Sequence, residues 1–105
     1  MPSLSYLSPK TLVKESSIHM KHAGANALKL IDPLLRALRK RSVLVEKNPG
    51  TFYLKSKAFL HFHEDPTGMF ADLKEADRGF NRYRVTTRIE QKKFLARVDR
   101  CLIKR

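Results

Sequence analysis

The stretch AFLHFHEDPTGMFADL, residues 58–73, decides the fold of this chain. At its centre, Asp-Pro-Thr-Gly (residues 65–68) has Asp, Pro and Gly at the positions that a type I turn favours. Apolar and other side chains alternate on both sides of this turn, and a period of two is typical of a half-buried β-strand. The stretch therefore predicts an antiparallel hairpin.

The two faces of this hairpin are predicted to differ, because successive side chains of a strand point to opposite sides. One set is apolar and is predicted to point into the core: Ala58, Leu60, Phe62, Met69, Ala71 and Leu73. The intervening side chains are predicted to share the other face: Phe59, His61, His63, Phe70, Asp72 and Lys74. That second face would meet solvent, a ligand or a partner.

More strands are predicted on both sides of the hairpin. SVLVE (residues 42–46) is rich in β-branched residues, and Lys-Asn-Pro-Gly (residues 47–50) is a strong turn signal before a strand at residues 51–54. FNRYRV (residues 80–85) is predicted to be the last strand. Consecutive hairpins make an antiparallel meander of four or five strands.

Helices are predicted at both ends of this sheet. In NALKLIDPLLRALRKR (residues 26–41) leucine and isoleucine recur at helical spacing, and Asp32 before Pro33 is typical of an N-cap, so the helix begins or kinks there. Thr87 and Glu90 stand in capping-box register ahead of a C-terminal helix. The predicted fold class is α+β: a two-layer sandwich whose meander is covered on one face by an N-terminal and a C-terminal helix.

Length and composition exclude several classes of protein. A chain of 105 residues forms one small domain, here assigned to residues 26–105, and residues 1–25 are predicted to be a flexible basic arm, with Met20 as an alternative start. No apolar run approaches the roughly 20 residues needed to cross a bilayer. Cys101 is the single cysteine, which excludes an internal disulfide and indicates a reducing compartment. We therefore expect a cytoplasmic protein without a membrane partner, and no cofactor is indicated.

The net charge of +12 is unevenly distributed along the chain. Residues 47–79 are balanced, whereas residues 80–105 carry +7. Segregated positive charge attracts polyanions, so we expect an interaction module that binds an acidic partner, with nucleic acid as the first candidate. The predicted phosphate contacts are Arg82, Arg84, Arg88, Lys92 and Lys93. Part of the same pattern has a structural explanation, because arginines on an edge strand prevent unwanted pairing with another sheet. A homodimer that forms through an exposed edge strand is a further alternative.

A second candidate site lies in the hairpin itself. His61 and His63 share one face of a strand, so both imidazoles could bind one metal ion, with Asp65 or Asp72 supplying an oxygen. The alternative function is thus a metal-dependent or acid-base enzyme that uses His61, His63 and Asp65. The simpler interpretation is that the histidines make cross-strand contacts and that Asp65 only begins the turn. No nucleophile elbow or phosphate-binding glycine loop is present.

Three resemblances accompany these patterns. Residues 58–72 resemble the AFLHFHEDPxGxFAD core of a family of small bacterial proteins of unknown function. The Lys-x-Lys-Ala-Phe hairpin at residues 55–59, followed by a Gly-containing turn, is similar to the MmcQ/YjbR family of α+β proteins, for which DNA binding has been suggested. Both resemblances imply a bacterial, cytoplasmic α+β domain and transfer no catalytic residue. Small size, basicity and an antiparallel sheet with helices resemble the RelE-type toxins and would imply RNA cleavage, although the strand motifs of those ribonucleases are absent.

Overall fold

Within the residues that the structure, a computed structural model, describes (21–75 and 79–104), the sheet is a five-stranded antiparallel meander with one short extra strand. The strands are β1 (Lys21–His22), β2 (Leu44–Asn48), β3 (Thr51–Leu54), β4 (Lys57–Asp65), β5 (Gly68–Lys74) and β6 (Phe80–Arg84). From β2 to β6 each strand pairs with the next one in the chain, and β1 pairs with the part of β4 that extends beyond β3. The predicted meander is confirmed.

The N-terminal helical segment is broken into α1 (Ala25–Leu30) and α2 (Asp32–Arg39), and the chain ends in α3 (Arg88–Lys104). Pro33 causes the break, because it has no N–H to donate to the preceding turn and is tolerated only in the first turn of a helix. The prediction that Asp32 caps the helix is wrong by one residue: Ile31 is the N-cap, and the Asp32 carboxylate instead pairs with Arg36 at 2.9 Å.

All three helices cover the same face of the sheet. The leucine and isoleucine side chains predicted at helical spacing in α1 and α2 are buried in the hydrophobic core. Helix α3 adds Phe94 and Val98 to this core. The largest fully buried side chains are Ile31, Leu38, Phe52, Phe59, Leu60, Leu73, Val85 and Val98. The two-layer α+β sandwich is therefore confirmed, and no helix within residues 21–75 and 79–104 covers the opposite face of the sheet.

The alternation predicted for the first half of β4 is wrong at Ala58, which is half-buried and outside the core cluster, and at Phe59. Phe52 pairs with Leu60 but Tyr53 pairs with Ala58, so the register shifts by one residue at a β-bulge. Phe59 is buried in the core beside Leu60 instead of sharing the face of the histidines. Beyond the bulge the alternation holds as predicted, and it is this part of β4 that carries His61 and His63.

The junction between β6 and α3 is held by side chains as well as by backbone. Thr87 and Glu90 form the predicted capping box: Glu90 N donates to Thr87 Oγ1 at 3.1 Å, and Thr87 N donates to Glu90 Oε1 at 2.9 Å. Thr86 Oγ1 accepts from the Met69 amide at 2.9 Å. A Cβ added at Gly68, where φ is +146°, would lie 2.3 Å from that hydroxyl, so the turn between β4 and β5 requires glycine.

Several element boundaries differ from the sequence-based ones. The strand predicted at residues 42–46 lies at Leu44–Asn48, because the chain first turns through a hydrogen bond from Leu44 N to Arg41 O. The predicted arm falls mostly on residues 1–20, which lie outside the described residues, while its end forms β1. Among the described residues no helix is long and apolar enough to span a bilayer.

The ion pair between Arg41 and Asp99 joins the end of α2 to α3, with two hydrogen bonds of 3.0 and 2.8 Å. The hydrogen bonds from Arg41 lower the pKa of Asp99. A carboxylate with a lowered pKa stabilises the fold above its ordinary pKa near 4, and the contribution disappears as the pH falls through the lowered value.

We expect Asp99→Asn to reduce the free energy of unfolding by about 0.5–1 kcal/mol at pH 7, since the pair is partly exposed. The difference from wild type should shrink towards zero as the pH falls from 5 to 2. Urea unfolding at several pH values measures it. A loss of equal size at pH 2.5 and pH 7 would contradict this origin of the stabilisation.

Candidate metal centre

His61, His63 and Asp72 meet on the face of the sheet opposite the helices. The two histidines lie two residues apart on β4, and His61 is directly opposite Asp72 of the neighbouring strand β5. His63 Nε2 lies 2.8 Å from Asp72 Oδ2 and 3.2 Å from His61 Nδ1, and His61 Nδ1 lies 3.7 Å from Asp72 Oδ2. Three atoms that can each bind a metal ion therefore converge.

Asp65, the carboxylate predicted beside the two histidines, has a different position. Its Oδ1 accepts from the backbone N–H of Thr67 at 2.7 Å and from the Thr67 hydroxyl at 2.6 Å. This is the local bonding typical of an Asp at the start of a turn. The structure thus brings to the histidines the second carboxylate named in the sequence analysis, Asp72.

Arg82 of β6 holds the Asp72 carboxylate in place. Asp72 of β5 and Arg82 of β6 are directly opposite each other in the sheet. The guanidinium donates from Nε to Oδ1 at 2.7 Å and from Nη2 to Oδ2 at 2.9 Å. Asp72 is only 6% exposed. Burial acts to raise the pKa of Asp72, but the hydrogen bonds from Arg82 and the neighbouring His63 more than offset it, so the pKa is lowered. The carboxylate is therefore ionised at neutral pH.

The His61 imidazole is uncharged at neutral pH. Burial is the largest influence and lowers its pKa; Asp72 opposes this, while His63, His22 and Arg82 lower the pKa further. A neutral imidazole keeps one nitrogen lone pair, which is the form that binds metal ions.

The contacts around His63 need more protons than the ring nitrogen can supply. Nε2 is close both to Asp72 Oδ2 and to His61 Nδ1, yet it carries at most one proton and so donates one normal hydrogen bond. If that proton is directed at Asp72 and His61 carries its own proton on Nε2, the lone pair of His61 Nδ1 faces the same small space without a donor. The other nitrogen, His63 Nδ1, is buried and has no hydrogen-bond partner within the described residues. In that tautomer electron-rich atoms face one another, and a cation between them would satisfy all three.

Two aromatic side chains flank the cluster. The Phe80 ring lies 4.8 Å from the His61 ring, measured between centroids, and covers it on the β6 side. On the β1 side, His22 places its ring 4.9 Å from that of His63 and 5.7 Å from that of His61. Sequence reasoning missed His22, because it lies in the segment interpreted as an arm and no local pattern connects it to β4.

The residues predicted to contact phosphate do not share one surface. Arg82 points to the open face of the sheet and is paired with Asp72. Arg84 bonds the Glu90 carboxylate and the Thr67 carbonyl. The remaining three cations lie on α3, where they border two different grooves: Arg88, Lys92 and Lys93.

The Arg82–Asp72 pair can be tested by its effect on stability. We expect Arg82→Gln to lower the free energy of unfolding by about 1–2 kcal/mol, because it leaves a buried carboxylate without its cation. Arg82→Lys should restore only part of this, since an ammonium group cannot bond both oxygens in a fixed fork. Arg36→Gln, which removes an exposed pair, should cost less than about 0.5 kcal/mol. Equal losses for Arg82→Gln and Arg36→Gln in denaturant unfolding would contradict the assignment.

Comparison of the chain with protein-family models, curated proteins and solved structures gave no match. The resemblance of residues 58–72 to a bacterial family and the similarity to the MmcQ/YjbR hairpin therefore stay predictions. What the site can do is inferred below from its own side chains.

Proposed function

We propose that this protein binds a divalent transition-metal ion through His61 Nδ1, His63 Nε2 and Asp72 Oδ2. The observation that carries the proposal is the separation of these atoms, 2.8, 3.2 and 3.7 Å. A triangle with such sides has a centre about 2 Å from each corner, which is the length of a zinc–nitrogen or zinc–oxygen bond. An ion can therefore sit at or just above that centre without a change in the backbone.

The ligand types select the kind of metal. Two imidazoles and one carboxylate suit Zn²⁺, Fe²⁺, Co²⁺, Ni²⁺ and Cu²⁺, whereas Mg²⁺ and Ca²⁺ favour sites made of oxygen ligands. Zn²⁺ is the reference ion for the proposal because it accepts a compact set of three or four nitrogen and oxygen ligands. Three protein ligands leave at least one coordination position, and its occupant decides between a binding site and a catalytic site.

Asp72 and His63 differ in the support that their neighbours would give to a bound ion. When Asp72 Oδ2 turns to the ion, the hydrogen bond from Arg82 Nε to Oδ1 still orients the carboxylate. His63 lacks such support: binding at Nε2 moves the ring proton to Nδ1, which has no acceptor within the described residues. Partners of this kind are worth about 10- to 100-fold in affinity. We therefore expect a site of moderate affinity that exchanges its ion.

The two aspartates provide a matched test. We expect the wild-type protein to bind one Zn²⁺ and no Mg²⁺, and Asp72→Asn to weaken Zn²⁺ binding by at least about 10-fold because it replaces an anionic ligand with a neutral amide. Asp65→Asn, the same chemical change seven residues earlier, should leave the affinity unchanged. Isothermal titration gives the affinities, native mass spectrometry gives the stoichiometry, and circular dichroism verifies that each variant is folded. A wild-type protein that binds no Zn²⁺, or equal losses in the two variants, would refute the proposal.

A second candidate function is favoured by the surface of α3. Arg88, Lys92, Lys93 and Arg100 have no carboxylate within ion-pair distance in the described parts of the chain, whereas six other arginines are paired. Cations without a partner are those that can exchange their counterions for phosphates. We propose that α3 is the contact surface for an acidic partner, with nucleic acid as the first candidate, and that the protein is cytoplasmic. That two copies pair through an edge strand stays a prediction.

For this surface we expect Lys92→Gln combined with Lys93→Gln to weaken binding to a DNA or RNA duplex. The slope of log affinity against log salt concentration should fall by about 0.9 for each phosphate that the variant no longer neutralises. The matched control is Arg36→Gln with Arg39→Gln, which removes the same charge from two paired residues. Fluorescence anisotropy at several salt concentrations measures the slope. No binding by the wild-type protein at low salt, or an equal change in the control, would exclude α3 as the surface.

A further inference from the structure

We infer that His22 is the fourth ligand of the metal centre, so that the bound ion closes the site and fastens strand β1 to the sheet. This inference rests on the proposed metal binding by His61, His63 and Asp72. It assigns the remaining coordination position to a side chain of this chain, and it therefore makes the centre a closed binding site, not a catalytic one.

The register of β1 places His22 beside the cluster. His22 pairs with His63 in the antiparallel ladder, and side chains directly opposite each other in such a pair share one face of the sheet. On that face His63 has His22 opposite it on β1 and Phe70 opposite it on β5, and it contacts Asp72 diagonally at 2.8 Å. The ring of His22 is 4.9 Å from the ring of His63, which is close enough for both imidazoles to reach one ion.

The backbone that follows His22 is held by hydrogen bonds, while the side chain of His22 is exposed. Ala23 N donates to Phe62 O at 3.2 Å, and Gly24 N donates to the Glu64 carboxylate at 2.9 Å. His22 itself is exposed, and its nitrogens are not among the atoms that already converge. A rotation of this ring towards the ion would displace no core residue and would bring a third imidazole into the ligand set.

Four protein ligands would change the chemistry of the centre. With three histidines and one aspartate the tetrahedral coordination of Zn²⁺ is complete, and no position remains for a water molecule that could be activated. Catalytic zinc sites keep such a position open. The ion would then act on the structure, because in the described part of the chain β1 has two residues and pairs with β4 alone. Ligand binding that requires β1 in place stabilises β1 by mass action.

The test compares His22→Gln with Lys21→Gln, its neighbour in the same short strand. Lys21 pairs with Glu64 and lies one residue out of phase with His22, so its side chain points to the other face. Zn²⁺ affinity is measured by titration, the number of bound imidazoles by X-ray absorption at the zinc edge, and the protection of the amides of residues 21–24 by hydrogen exchange with and without Zn²⁺. The visible spectrum of the Co²⁺ form reports the coordination number independently.

We expect three bound imidazoles in the wild-type protein and two in His22→Gln, with an affinity about 10- to 100-fold lower. Slower exchange at residues 21–24 on addition of Zn²⁺ should occur in the wild-type protein and in Lys21→Gln, and should be absent in His22→Gln. Two imidazoles in the wild-type protein, with an affinity that His22→Gln does not change, would overturn this inference and leave the three-ligand site intact. Failure of the wild-type protein to bind Zn²⁺ would overturn both.

Discussion

The register between β4 and β5 is the constraint on which the rest of the structure depends. Leu60 pairs with Leu73 and Phe62 with Ala71, which places all four side chains under the helices. Because a strand alternates its side chains, the same register puts His61 opposite Asp72 on the other face. A slip of one residue would bury the histidines and expose the core, at a cost of several apolar side chains of about 1.5–3 kcal/mol each. The packing of the core thus also determines the geometry of the site.

Most of the fold could be predicted because its signals are local. The turn at residues 65–68, the alternation of β5 and the capping box of α3 each depend on neighbours within a few residues, and all three are present in the structure. The bulge at Phe59 could not be predicted, because it results from the pairing with β3 and leaves no mark in a stretch of apolar residues. Pro33 predicts the break in the N-terminal helix, but which residue caps the second half depends on how the two short helices pack on the sheet.

The candidate site also contains residues that could be predicted from the sequence and residues that could not. His61 and His63 could be recognised from their spacing alone, and Asp72 is one of two carboxylates that the sequence offers near them. The choice between Asp65 and Asp72 depends on hydrogen bonding that the sequence does not show: the first is bound by Thr67 and the second by Arg82. His22 lies 41 residues before His63 in the chain. Its position beside the cluster follows from a two-residue strand, which is too short to have any periodicity.

A net charge of +12 does not prevent this protein from binding a divalent cation. The repulsion of exposed charges decays over a Debye length of about 8 Å at physiological ionic strength, and the unpaired cations of α3 lie on the helical side of the sheet. Arg82 is the positive charge that contacts the site, and the ionised Asp72 carboxylate already balances it through two hydrogen bonds. An ion at the centre would therefore interact mainly with one carboxylate oxygen and two imidazole lone pairs at bonding distance. The two proposed binding surfaces have opposite charge preferences, and they are compatible on so small a chain because the sheet and its core lie between them.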